Sequence, residues 1–255
     1  MTIISTIENP IVPFQNKIHY TVQKLIESIH PDFYLTKPIL SGSFLIKLLI
    51  DPKAYFSDYD FYFESQEKYN EAKTMLLETH PLVYSNLNCH TFDLNNSGLH
   101  LQIISTYFGD PSSIIANHDI ENSKLSYQGT SLFFTKKFLE VWIEGKLSLD
   151  TFQVENLKTP KAKYFSFLST LSRIKKYLTR YNLELDQKTI SMLFEVKNHF
   201  KENKDLYKEF KKTTNSIALP YGSFKGELDS YHSVILFLDS LLEPNVLHFP
   251  EPIEF

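Results

Sequence analysis

Between Leu40 and Phe63 the chain carries a Ser41-Gly42-Ser43 turn, an apolar segment and then Ser57-Asp58-Tyr59-Asp60-Phe61-Tyr62-Phe63, where two carboxylates stand two residues apart inside an aromatic run. Side chains alternate across a β-strand. A strand here therefore sends Asp58 and Asp60 to one face and Tyr59, Phe61 and Phe63 to the other, into a core. Paired carboxylates of this kind suit Mg²⁺, which prefers oxygen ligands and shares its shell with substrate phosphates and water.

The residues just before the pair supply what a phosphate-handling site also needs. Phe33 to Leu35 and Pro38 to Leu40 read as extended, Ser41-Gly42-Ser43 as a tight turn, and Phe44 to Ile50 as the first turns of a helix. A helix start leaves N–H groups unpaired and carries the positive end of the macrodipole, so it can face a triphosphate. Gly42 lets the backbone approach closely, and the Ser43 hydroxyl adds a donor.

These residues resemble the nucleotidyltransferase superfamily, which includes DNA polymerase beta, the CCA-adding enzymes and the minimal nucleotidyltransferases. Gly42-Ser43 matches that family's Gly-Gly or Gly-Ser turn after a strand, and Asp58-Tyr59-Asp60-Phe61 matches its Asp-hydrophobic-Asp/Glu-hydrophobic strand. The run from Gly42 to Ile50 is most similar to the head motif of CCA-adding enzymes and poly(A) polymerases. Ile46-Lys47 stands where their Arg-Asp would be, so the tRNA-end chemistry is not carried over. The matching motif covers only residues 40–63.

The resemblance implies a polymerase-beta-like palm, an α+β fold in which helices pack on a mixed β-sheet. It implies transfer of an NMP from an NTP to an acceptor hydroxyl, on RNA, a protein or a small molecule, with release of pyrophosphate. Asp58 and Asp60 would hold Mg²⁺ or Mn²⁺, and Gly42, Ser43 and Lys47 would contact the nucleotide. The family's third carboxylate, on a later strand, falls at Gln102 within Leu99 to Ile104. A neutral amide ligates through its oxygen but is no base at neutral pH. Either another carboxylate, Asp93 or Asp119, takes that role, or the site binds nucleotide with weak or no turnover. The second case describes a binding or structural protein on the same fold, one that a phage or virion assembly could use.

The chain has 255 residues, enough for one or two domains, and its 21 Phe and 15 Tyr against 7 Gly make the core aromatic. Abundant Lys, Asn and Ile point to an AT-rich genome, that of a low-GC bacterium, its phage or another virus. No signal-peptide pattern opens the sequence and no window is apolar enough to span a membrane, so a cytoplasmic location is expected, in the host or within a virion. The single cysteine, Cys89, excludes an intramolecular disulfide and a cysteine zinc site, and reads as a small core residue.

A net charge of −4 argues against generic coating of nucleic acid. The basic residues Lys161, Lys163, Arg173, Lys175, Lys176 and Arg180 nevertheless gather where Phe165, Leu168, Leu171, Ile174 and Leu178 recur at helical spacing. Arg173 and Lys176 from this basic face are candidates to reach nucleotide phosphates or an RNA acceptor.

The expected organisation is an α/β palm over 1–135, a helical part over 136–241, and an extended, proline-rich tail over 242–255 that offers a docking strand to a protein partner. Within the palm, helices are expected at 17–29 and 66–79. Strands are expected at 82–84, 91–94, 99–106, 124–127 and 131–134, with Asn95 to Gly98 as a hairpin turn. Helices follow at 136–144, 160–180, 186–202 and 204–213, with Asp186 as an N-cap and Pro160 in a first turn.

Overall fold

The computed structural model describes residues 12–50, 58–94, 98–150, 162–202 and 231–242. The expected helix at 204–213, the tail from 243 onward, Asn95 to Ser97, Ser57, Pro160 and Lys161 lie outside these residues. The chain divides into two compact units, Met1–Glu144 and Gly145–Phe255.

The first unit is built on one mixed sheet of seven strands. Its elements are α1 (Val12–Ile29), β1 (Ile39–Ser41), α2 (Ser43–Leu49), β2 (Asp58–Phe63), α3 (Gln66–Thr79), β3 (Leu82–Ser85), β4 (Cys89–Asp93), β5 (His100–Phe108), α4 (Pro111–Ala116), β6 (Leu125–Gln128), β7 (Ser131–Phe134) and α5 (Lys136–Ile143). The strand order is β3-β4-β5-β2-β1-β6-β7, and only β2 and β5 run parallel. The expected α+β architecture, helices on a mixed sheet, is what the chain forms.

Strand β2 lies in the middle and shows strict alternation. Tyr59, Phe61 and Phe63 are buried while Asp58, Asp60 and Tyr62 are half-buried. The buried three join Leu40 of β1 and Leu101 and Ile103 of β5 in a core closed by Val22 of α1, Leu45 of α2 and Leu76 of α3. Aromatic edges set its geometry: Phe33 meets Phe61 at 5.3 Å and 81°, and Phe44 meets Tyr59 at 4.8 Å and 75°. Such perpendicular pairs add to the gain from burial because the ring edge of one meets the electron-rich face of the other.

Local chemistry marks the ends of the elements. Ser65 caps α3 by accepting the Lys68 N–H, Asp110 caps α4 by accepting from Ser113, and Thr135 caps α5 by accepting from Phe138. Phe33 to Leu35 was expected to be extended and instead belongs to one 3₁₀ turn, Phe33–Thr36. The Phe33 N–H bonds to the His30 carbonyl, the Thr36 hydroxyl bonds back to the Phe33 carbonyl, and Lys37 leaves the turn at φ 50°. Burying Phe33 fully requires this turn, and tertiary packing overrides the strand propensity of Phe-Tyr-Leu.

The second unit contains a short parallel pair, β8 (Lys146–Leu147) with β9 (Glu184–Leu185), and the helices α6 (Ala162–Tyr181), α7 (Gln187–Glu202) and α8 (Tyr231–Leu242). Asp186 caps α7 as expected, accepting the Thr189 N–H at 2.7 Å. Helix α7 is tied to α8 by an ion pair between Lys197 and Asp239. Helix α8 had no counterpart in the sequence reading. Its apolar run of Val234 to Leu238 shows little amphipathic contrast.

Replacing Phe61 with Ala is expected to cost about 3–5 kcal/mol, the range for emptying an aromatic site in a packed core. Leu87→Ala, at a side chain 97% exposed, is expected to change stability by less than about 0.5 kcal/mol. Urea unfolding of the two variants beside the unaltered chain checks both values.

Candidate functional site

Cross-strand register assembles the candidate site on the sheet face opposite the aromatic core. Asp60 of β2 lies beside Gln102 of β5 on one side and Ser41 of β1 on the other. The row continues to Thr91 of β4 and to Ser126 of β6, so five polar side chains cross the sheet in line. A second row holds Asp58, His100 and Asp93 on β2, β5 and β4. Paired residues on neighbouring strands share a face, which brings the two aspartates, Gln102 and His100 together.

The Gly42 turn meets this lane at Asp60. Gly42 has φ 87° and ψ −160°, a backbone region essentially restricted to glycine. A Cβ there would come closer than 3.0 Å to Asp60 Oδ2, a separation that real Cβ atoms do not reach. The carboxylate occupies the space that a side chain on the turn would fill. Ser43 starts α2, whose seven residues carry Lys47 in the last turn, one helical turn beyond Ser43. Ser41 serves structure here, its hydroxyl donating to the Leu125 carbonyl at 2.7 Å from a fully buried position.

Around the pair the polar groups are mostly uncharged. Cys89 Sγ lies 3.8 Å from both the Gln102 Oε1 and the Thr91 hydroxyl. This places Cys89 on the carboxylate face and half-buried, not in the core as expected. Burial foremost pushes its thiol up to about 11, against the opposing Thr91 hydrogen bond and with smaller help from the charges of Asp60 and Asp58. His100 Nδ1 stands 3.8 Å from Asp58 Oδ1, both side chains being partly exposed. Asp93 lies two strands from Asp58, and its Oδ1 is buried without a hydrogen-bond partner. Asp119 belongs to the loop between α4 and β6 rather than to these rows.

One helix stands on the carboxylate face: Ser126 Oγ donates to the Pro111 carbonyl at the start of α4, and Tyr62 meets His118 at 5.9 Å between ring centres. Arg173 and Lys176 lie on α6 of the second unit, half-buried beside the buried Leu171 and Ile174. No group of three or more His, Cys, Asp or Glu side chains is placed to hold a metal ion among the described residues. Two carboxylates on one face still fit Mg²⁺, which is commonly held by one or two protein carboxylates together with substrate phosphates and water.

The mixed sheet with its packed helices is a nucleotidyltransferase-like fold, and solved structures share that fold. The chain is similar to a CCA-adding enzyme in complex with CTP (TM-score 0.53, 13% identity, 83% of this chain and 51% of that one). It is similar to the Thermotoga maritima CCA-adding enzyme complexed with tRNA (0.55, 14%, 95% and 57%) and to a CCA-adding enzyme in complex with ATP (0.51, 15%, 89% and 57%). The chain thus spans about half the length of these structures. No curated protein matches it by sequence. Residues 13–143 match the Gabija anti-defense 2 family protein (Gad2), and the chain belongs to that family. No helix among the described residues is long and apolar enough to cross a membrane.

The lateral neighbours Thr91 and Cys89 were not singled out as site residues, because pairing between strands is not written in either strand alone. The hairpin joining β4 and β5 carried the needed signal, since its length fixes Asp93 opposite His100.

Two outcomes follow from the geometry. Gly42→Ala is expected to destabilise the chain by about 1–3 kcal/mol more than Gly98→Ala, measured by chemical unfolding. Gly98 also has positive φ, but a Cβ there meets nothing within 4 Å, so the difference isolates the Asp60 contact and the special backbone of Gly42. Cys89 is expected to resist iodoacetamide at pH 8 in the folded protein. Its alkylation rate should rise about tenfold per pH unit up to about 11 and become fast at pH 8 only in denaturant.

Proposed function

We propose that the chain is a metal-dependent nucleotidyltransferase that transfers an NMP from an NTP to an acceptor hydroxyl on RNA, a protein or a small molecule. The observation that carries this reading is the contact between the Gly42 turn and Asp60, which joins a phosphate-approach backbone to a carboxylate pair. The structures that share its fold include complexes with CTP, ATP and tRNA, and they support nucleotide and RNA as ligand classes.

In this reading Asp58 and Asp60 hold Mg²⁺ or Mn²⁺, which when bound neutralises charge on the phosphates and aligns them. The Gly42 and Ser43 backbone receives the triphosphate, with the Ser43 hydroxyl and Lys47 as further contacts. The acceptor oxygen attacks the α-phosphorus in line, and the bond to the pyrophosphate oxygen breaks. Catalysis is then mainly positioning and charge neutralisation. Gln102 cannot accept the acceptor's proton, which leaves to solvent. The basic face of α6, with Arg173 and Lys176, is proposed to serve phosphate or RNA.

A second reading has specific support. Gln102 at the third-carboxylate position and the family's anti-defense description both favour a protein with weak or no turnover that acts by binding. Its partner would be protein, and the proline-rich tail is proposed as a docking segment.

Incubation with each α-³²P-labelled NTP, Mg²⁺ or Mn²⁺, and pooled RNA or cell lysate separates the two. The nucleotidyltransferase reading expects label on an acceptor with the unaltered chain and a loss of at least about 100-fold in Asp58→Ala/Asp60→Ala. Absence of transfer with every NTP would leave the binding reading standing.

A further inference from the structure

We propose that this site takes a single divalent cation, the one that travels with the nucleotide phosphates, because among the described residues the strand neighbours Gln102, Thr91, Cys89 and His100 offer a second cation no anionic ligand. The inference rests on the reading of Asp58 and Asp60 as the metal-holding pair and deepens it.

Two cations that clamp an in-line displacement stand about 3.5–4 Å apart, so their mutual repulsion must be offset by carboxylates lying between and beside them. The nucleotide carries one ion in with its phosphates. A second needs anionic ligands from the protein beyond the shared pair. Strand register identifies the groups that could provide them. Next to Asp60 stands Gln102, then Thr91, with Cys89 at 3.8 Å from the Gln102 carbonyl oxygen: an amide, a hydroxyl and a thiol. Next to Asp58 stands the imidazole of His100.

The nearest further carboxylate in these rows, Asp93, is two strands from Asp58, roughly 10 Å along the hydrogen-bonding direction, with His100 between them. His100 occupies the strand position between the two carboxylates, so Asp93 does not flank the pair as Gln102 does. Among the described residues no third His, Cys, Asp or Glu joins the pair in a metal-holding group.

Mn²⁺ with a non-hydrolysable ATP analogue reports this directly. Bound ions are counted by equilibrium dialysis, and electron paramagnetic resonance reads whether they are coupled. The unaltered chain is expected to hold one Mn²⁺ with an uncoupled spectrum. Gln102→Glu should hold two, with the splitting of a close pair, and Gln102→Asp provides the same reading if the longer acid impairs folding. Two ions or a coupled spectrum in the unaltered chain would overturn the proposal, as would a single ion in both acidic variants. If Asp58→Ala/Asp60→Ala binds Mn²⁺ and nucleotide as the unaltered chain does, or if the latter binds neither, the metal-holding role of the pair falls and this inference falls with it.

Discussion

Everything at the candidate site depends on β2 being pinned at the centre of the sheet by its buried aromatic face. Tyr59, Phe61 and Phe63 each lose nearly all exposure, and burial of three such side chains contributes on the order of 5–9 kcal/mol before conformational entropy is counted. A slip of one residue would turn those rings toward the carboxylate face and drive Asp58, Asp60 and Tyr62 into the core. No rearrangement that keeps the aromatic core can alter where the two carboxylates point. The position of the acids is a consequence of packing on the other side of the sheet.

The strand's neighbours give that position its chemical character. Strand β1 ends at Ser41, and the chain must turn at once into α2 so that Phe44 and Leu45 reach the same core as Tyr59. The turn therefore passes directly over Asp60, which only glycine permits. Strand β5, parallel to β2, brings Gln102 and His100 alongside. The glycine turn and the carboxylate pair thus come together through the packing of Phe44 against Tyr59.

The sequence made legible what local period and capping control. The alternation of β2, α3 from Gln66 to Thr79, β7 from Ser131 to Phe134 and the Asp186 cap all follow from side-chain periodicity or from one hydrogen bond. The 3₁₀ turn at Phe33 was not legible, because its cause is the deep pocket beneath Phe61, formed by residues distant in the chain. Cys89 was misplaced for a related reason: His90 and Cys89 are both compatible with either face, and only the pairing with β5 decides. His90 turns inward to meet the Tyr69 hydroxyl at 2.6 Å, so Cys89 turns outward to Gln102. Helix α8 lacked the polar stripe that would have marked its period.

Several local rules of stability are broken at the candidate site, and the breaks coincide. Gly42 adopts a strained backbone, two like charges share a half-buried strand face, and a lane of Ser, Gln and Thr crosses a sheet whose other face is almost wholly apolar. None of these features is needed to bury Phe61, and an apolar residue at Asp60 or Gln102 would pack against Ile104 and Ile39 at lower cost. Violations of this kind concentrate where a protein uses its surface for chemistry or recognition. Gln102 is the informative exception: an amide relieves the repulsion that a third carboxylate would add beside Asp60, yet it withholds the proton acceptor that such a carboxylate provides. Under the proposed reading, the amide leaves Asp58 and Asp60 to hold a metal–nucleotide complex without a third acid and disfavours activating an acceptor. That balance makes binding without rapid turnover a physical possibility within this fold, not a sign that the site has lost its ligand.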